Sequence, residues 1–210
     1  TLPPETMRSL AITLEVGGQA ELGALAEQLL SAGYTRCEQV EGVGQFALRG
    51  GILDVFSPLM DQPVRCEFFD DEIDSMGAFD PGTQRRTRNV SSARILPAAE
   101  VLPHCAPGGL PGLADQLTAL AEKLAKKQKT EAIVQTLRED AERLRSGAAP
   151  GAADRYLAAI YPTVTAGVHY LPPDAVVFLS ESGRVDERVK NTVLQQKQDV
   201  EALLSAGVLA

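Results

Sequence analysis

The chain has 210 residues, 44% of them hydrophobic and 5% aromatic, with no tryptophan, so leucine, valine and alanine must fill most of any core. Its formal net charge of −8 argues against a nucleic-acid binder acting through its whole surface, because neutralising phosphates needs a basic face. The length suits one large domain or two small ones.

Residues 1–17 read as an extended lead-in in which Ile12, Leu14 and Val16 alternate with polar residues, the pattern of a short strand broken by Gly17-Gly18. Leu22, Leu25, Ala26, Leu29 and Leu30 then recur at helical spacing, with Gly33 placed to cap the helix. From Tyr34 the period changes to two. It predicts strands at 35–41, 45–49, 51–56, 63–69, 72–79 and 86–96, separated by turn signals such as Gly42-Val43-Gly44, Ser57-Pro58 and Asp80-Pro81-Gly82. Short strands with tight connections predict an antiparallel sheet.

The prolines and glycines between Pro97 and Gly112 mark a boundary. Beyond it Leu113, Leu117, Leu120 and Leu124 form one helical stripe, and Ile133, Leu137, Ala141 and Leu144 a second. A loop at 146–151 and a short helix within 153–161 follow. The apolar run Ala175–Leu179 reads as a buried strand. Val185, Val189, Val193, Val200 and Leu204 mark a long final helix, with Gly207 as its cap. The expected class is α+β: a small antiparallel-sheet domain with a leading helix, then a helical segment and a buried strand.

Few residues carry chemistry. In strand 63–69, Val64, Cys66 and Phe68 share one face and Arg65, Glu67 and Phe69 the other; in strand 45–49, Phe46 and Leu48 face in while Gln45, Ala47 and Arg49 face out. Two arginines and a phenylalanine on one sheet face resemble the centre of a protein interface. The plainer alternative pairs Arg65 with Glu67 or a cross-strand acid and tucks Phe69 under a loop, and the pattern alone favours it. Arg85, Arg86, Arg88 and Arg94 are either a phosphate-contacting patch or a charged sheet edge.

The acids Asp70, Asp71, Glu72 and Asp74 lack the spacing of a calcium loop and read as a solubilising turn, so no metal site is expected. The two histidines, His104 and His169, join no catalytic set. All six lysines follow a residue other than glycine, which excludes a phosphate-binding P-loop, and no cofactor is expected. Three widely spaced cysteines, at 37, 66 and 105, form neither a disulfide framework nor a zinc site and suggest a reducing, cytoplasmic setting. No apolar run is long enough to span a membrane, and no signal segment opens the chain. The opening Thr1-Leu2-Pro3-Pro4 fits a piece of a longer protein.

The run Gly44-Gln45-Phe46-Ala47-Leu48-Arg49-Gly50-Gly51-Ile52-Leu53-Asp54-Val55-Phe56, with Pro63 to Ser75 and Phe79-Asp80-Pro81-Gly82-Thr83-Gln84-Arg85, closely resembles the bacterial transcription-repair coupling factors. The resemblance covers their amino-terminal module, which is similar to the excision-repair protein UvrB. It is dense over 33–100 and looser beyond, where Tyr170-Leu171-Pro172-Pro173-Asp174 precedes the apolar run. It implies a small α+β domain, 18–100, inserted in a degenerate P-loop-type α/β domain that 1–17 leaves and 101–210 rejoins. It further implies that the inserted domain binds UvrA, that Arg49, Arg65 and Phe69 are the contact residues, and that RNA polymerase and DNA are engaged by other parts of an ATP-dependent DNA translocase. This reverses the order of the two readings of the arginine-bearing face. The rival of another class is a DNA-contacting fragment of a repair helicase, acting through Arg85, Arg86, Arg88 and Arg94.

The chain departs from the family pattern in places. Ser57 stands where proline is usual, Cys66 replaces isoleucine or leucine, and Gly77 often corresponds to an arginine. Leu179 leads into Ser180-Glu181-Ser182 rather than the metal-binding Asp-Glu of UvrB, and no aromatic hairpin follows Tyr34.

Overall fold

The computed structural model describes residues 1–126, 131–163 and 165–205. The chain divides into two compact units, Thr1–Ala106 with Ala153–Ala166, and Pro107–Ala152 with Gly167–Ala210.

The first unit is α+β. Helix α1 (Pro4–Ser9) opens it where the sequence suggested extended chain. Pro4 supplies a ready-made helical φ in the first turn, with Glu5 beside it and Arg8 in the last turn, an arrangement that suits the helix dipole. Strand β1 (Ile12–Glu15) and helix α2 (Leu22–Ser31) follow. The Glu21 carboxylate accepts the Gly23 and Ala24 N–H groups at 2.8 Å each and so starts α2. At the other end Gly33, at φ 86°, closes a Schellman turn in which Tyr34 N–H donates to Leu29 O and Gly33 N–H to Leu30 O. A Cβ on Gly33 would meet Leu102 Cδ2 at 2.8 Å and Ala99 Cβ at 2.9 Å. Gly33→Ala therefore combines left-handed strain with a packing clash, and is expected to lower stability by about 2 kcal/mol in urea unfolding.

The main sheet has six strands in the order β2 (Thr35–Arg36), β3 (Gln45–Arg49), β4 (Ile52–Val55), β5 (Val64–Phe69), β6 (Glu72–Phe79) and β7 (Arg86–Asn89). Every pair is antiparallel except β2–β3, which is parallel. Only two residues of the expected strand 35–41 pair. The Gln45 side-chain oxygen takes the Glu41 and Gly42 N–H groups at 2.9 and 3.0 Å, so the chain turns and plants the fully buried Val40 on the sheet. The expected strand 86–96 is two: β7 closes the main sheet, and β8 (Ser92–Ile95) pairs instead with β1. Ser57, buried in the loop after β4, accepts the Leu96 N–H at 3.1 Å just beyond β8.

One face of the sheet is the core. Leu25, Ala26 and Leu29 of α2 pack with Phe46, Leu53, Val55, Val64, Cys66, Ile73 and Met76, joined by Leu14 of β1 and by Ala93 and Ile95 of β8. Burial pushes the Cys66 thiol up to about 12, so it stays neutral. The opposite face carries a smaller cluster of Val40, Ala47, Phe56 and Phe79. Ala47, expected to face solvent, is on the outward side but covered by this cluster. Period-two patterning assigns a side of the sheet; it cannot show that a loop folds over part of that side.

In the second unit α3 (Gly109–Lys126) and α4 (Glu131–Arg145) bury Leu110, Leu113, Ala114, Leu117, Ala121 and Leu124, and Val134, Leu137, Ala141 and Leu144. They pack on one another as a hairpin. Leu120, expected in the first stripe, points outward, because the buried set runs through Ala121 at its place. A short helix α5 (Leu157–Ile160) belongs to the first unit, preceded by a 3₁₀ turn at Ala153–Tyr156.

The expected buried strand 175–179 is not one. These residues form no strand and are exposed, Phe178 at 89%. A strand exists only beside a partner edge that takes its N–H and C=O groups, and the described residues of this unit contain no other strand. The final helix α6 (Ser182–Ser205) forms as expected, with Val185, Val189, Val193 and Val200 exposed. The Leu204 side chain and Gly207 lie outside the described residues.

Candidate functional site

The outer face of the main sheet holds a cluster of charged side chains from β3, β4 and β5. Strand register sets it out in rows. Ala47, Asp54, Arg65 and Gly77 lie side by side across β3 to β6, and the next row is Arg49, Ile52, Glu67 and Ser75. Leu53 and Val55 point into the core, so Asp54 between them must point outward. It is nonetheless 0% exposed, because two arginines close over it.

Arg65 grips Asp54 with a two-pronged fork. Its Nε donates to Oδ1 at 2.7 Å and its Nη2 to Oδ2 at 2.8 Å. From the other side Arg49 Nη2 donates to the same Oδ2 at 2.6 Å. Such bidentate, charge-assisted bonds fix the guanidinium plane as well as its position. The Arg65 guanidinium also stacks over Phe79, with Cζ 4.6 Å from the ring centre. Its bond to Asp54 raises its pKa further, so it is permanently cationic.

A turn after β6 completes the surround. Asp80 Oδ1 accepts the Thr83 N–H and hydroxyl at 2.6 and 2.8 Å, and these bonds hold its carboxyl below the usual carboxylate range. Gln84, at φ 61°, donates its amide to Val40 O at 3.1 Å and Pro81 O at 2.7 Å, and turns its Oε1 toward Arg65 Nη2 at 3.4 Å. The Arg65 side chain is therefore only 20% exposed, whereas that of Arg49 is 43% exposed. The site presents two guanidiniums over one buried carboxylate, a local excess of positive charge in fixed geometry.

Phe69 stands at the far end of β5 on the same face as Arg65, four residues along and roughly 13 Å away at strand rise. It is 76% exposed. Between the two, the register shifts at Glu67/Phe68, which twists the end of the hairpin. Arg49, Arg65 and Phe69 thus share one surface. Of the two readings of Arg65 left open by the sequence, the cross-strand ion pair is present, made with Asp54 rather than Glu67, whose Oε2 instead accepts the Ser75 hydroxyl at 2.9 Å. Phe69 lies under no loop.

The basic cluster does not stay together. Arg86 lies across Gly77 on the outer face. Arg88 and Arg94 line a cavity of about 250 Å³ with Val64, Ala78 and Val90, toward the opposite face. Arg85 is exposed just before β7. Cys37, Cys66 and Cys105 are free thiols.

The UvrB interaction domain family model matches residues 12–101, which include every element of both sheets. Over 209 residues the chain is 30% identical to the transcription-repair-coupling factor of Bacillus subtilis (strain 168), covering 98% of this chain and 18% of the relative. Its identity to the corresponding factor of Myxococcus xanthus is 40% over 148 residues, 70% of this chain and 12% of the relative. The factor of Staphylococcus aureus (strain USA300) is 28% identical over 215 residues. This chain carries a UvrB interaction domain and is homologous to transcription-repair-coupling factors. It spans less than a fifth of the length of these curated relatives.

Within the UvrB interaction domain, the residue that sequence reasoning missed is Asp54. A lone acid between two core residues of a four-residue strand was a usable signal, since a charge on a sheet's centre line needs a partner. Gln84 gave no such signal, because its role depends on the turn that Asp80 and Thr83 build. No described helix is long and apolar enough to cross a membrane.

Proposed function

We propose that this chain is a non-catalytic recruitment module of a transcription-repair-coupling factor, docking UvrA through Arg49, Arg65 and Phe69. The observation that carries this reading is the outer sheet face itself: two guanidiniums locked on Asp54, with an exposed phenylalanine farther along the same face. Preorganised arginines lose little conformational freedom on binding, and arginine and aromatic side chains dominate interface energetics. The complementary surface on UvrA is acidic or rich in carbonyl groups. In this reading the module sits within a degenerate P-loop-type α/β domain, needs no cofactor or metal, and works in the cytoplasm. RNA polymerase and DNA are then handled by other parts of the longer protein.

Titration of the chain with purified UvrA tests the proposal. Arg49→Glu places a carboxylate against Asp54 and reverses the charge of the more exposed arginine. It is expected to weaken binding by more than tenfold, and unchanged affinity would remove Arg49 from the interface. The DNA-contacting alternative relies on Arg85, Arg86, Arg88 and Arg94 acting together, and Arg86 lies on one sheet face while Arg88 and Arg94 line a cavity toward the other. It requires a duplex gel shift that weakens steeply with salt.

A further inference from the structure

We propose that Arg86 is a third guanidinium of the docking face, laid across Gly77 so that it meets carboxylates of the partner next to Arg65. The inference rests on the docking reading above and extends it to a residue on a different strand.

Gly77 lies directly opposite Arg65 in the β5–β6 ladder, on the outer face. Its φ is not in the left-handed region, so the backbone there does not itself demand glycine. What glycine provides is space. A Cβ at this position would fall inside the Arg86 side chain, against Nε, Cζ and Cδ. Arg86 starts on β7, at the sheet edge, yet its exposed side chain folds back across β6 over Gly77 instead of extending away from the sheet. A charge placed only to guard a sheet edge has no reason to fold back this way.

The Arg86 head arrives at the row of Glu67 and Ser75, where Nη1 lies 3.4 Å from Ser75 Oγ. Ser75 gives its own proton to Glu67 Oε2 at 2.9 Å. Among the described residues Arg86 makes no ion pair within 4 Å, in contrast to Arg49 and Arg65, which share Asp54. Arg65 has committed Nε and Nη2 to that carboxylate. Arg86 thus keeps its guanidinium available while the Gly77 hollow fixes where it lies. The two rows around Asp54 and Glu67 carry Arg49 and Arg65 against these two acids, with Arg86 lying over them, while Glu72, paired with Phe69, is a third acid at the end of the hairpin. Around Asp54 and Glu67 the surplus of positive charge depends on Arg86. An acidic protein surface is the complementary occupant.

The test compares UvrA and duplex DNA binding by the chain and four variants at moderate salt, Phe69→Ala among them as the docking control, with urea unfolding measured in parallel. Arg86→Ala is expected to weaken binding about tenfold with an unchanged unfolding midpoint. Gly77→Val, which evicts the Arg86 side chain while leaving it in the sequence, is expected to give the same loss. The double variant should be no weaker than either single one, because both remove one interaction. If Arg86→Ala binds within twofold of the parent while Phe69→Ala has lost binding, this inference fails and the docking reading stands. If the parent chain does not bind UvrA, both fall. If Arg86→Ala lowers duplex DNA binding and leaves UvrA binding intact, Arg86 is a phosphate contact and the proposal is overturned.

Discussion

Phe69→Ala is expected to reduce UvrA affinity by roughly thirtyfold, about 2 kcal/mol, while leaving the unfolding free energy within about 0.5 kcal/mol of the parent. The asymmetry follows from the position of the ring. It is 76% exposed at the tip of the β5–β6 hairpin, so the folded chain gains almost nothing from it. The turn beyond it, Asp70-Asp71, is held by backbone hydrogen bonds, including Ala20 N–H to Asp71 O at 2.8 Å, and does not need the ring. In a complex, the ring would be desolvated in full on the same face as the two guanidiniums. Calorimetric titration and urea unfolding on the same preparation separate the two quantities. Equal affinity in the variant would mean that Phe69 is an ordinary exposed residue and that the docking face lies elsewhere. Arg65→Ala is a poorer experiment, since it strips Asp54 of its bidentate partner and uncovers Phe79, so binding and stability fall together.

The sequence showed the sheet strands well and their environment less well. Alternation placed Arg65 and Phe69 on one side of β5 correctly because that property is local to the strand. It missed the burial of Ala47 and the role of Gln84, which depend on loops 37–44 and 80–85 folding back over the outer face. Splitting 86–96 into β7 and β8 was equally invisible. Both halves have strand character, and only their partners, β6 and β1, distinguish them. The apolar run 175–179 shows the reverse problem. Its composition fits a strand, but strand formation needs a neighbouring edge. Family resemblance singled out Arg49 and Arg65 as expected contacts, and the register shows what ties the two arginines together: Asp54 sits directly opposite Arg65 and one diagonal from Arg49.

Asp54 is where that grouping can be broken. Asp54→Ala removes a carboxylate with 0% exposure that accepts three guanidinium hydrogen bonds, two from Arg65 and one from Arg49. Breaking a fully buried ion pair from one side typically costs 3–5 kcal/mol, because the remaining charge is stranded. Here both arginines can turn partly to water, which places the expected loss near the lower end, about 3 kcal/mol. Asp54→Asn keeps the shape but presents an N–H₂ group to at least one of the three N–H donors, so it should recover little of that loss. A double-mutant cycle of Asp54→Ala with Arg65→Ala is expected to show a coupling above about 1 kcal/mol, since the two changes remove the same bonds. Binding should fail as well, even at a temperature where Asp54→Ala remains folded, because neither guanidinium keeps its orientation. A variant that unfolds and binds like the parent would show that the arginines hold their places without Asp54. The preorganisation on which the proposed docking face depends would then have to come from Phe79 and Gln84 at Arg65 and from the Glu38 carbonyl, which accepts Arg49 Nη1 at 3.5 Å.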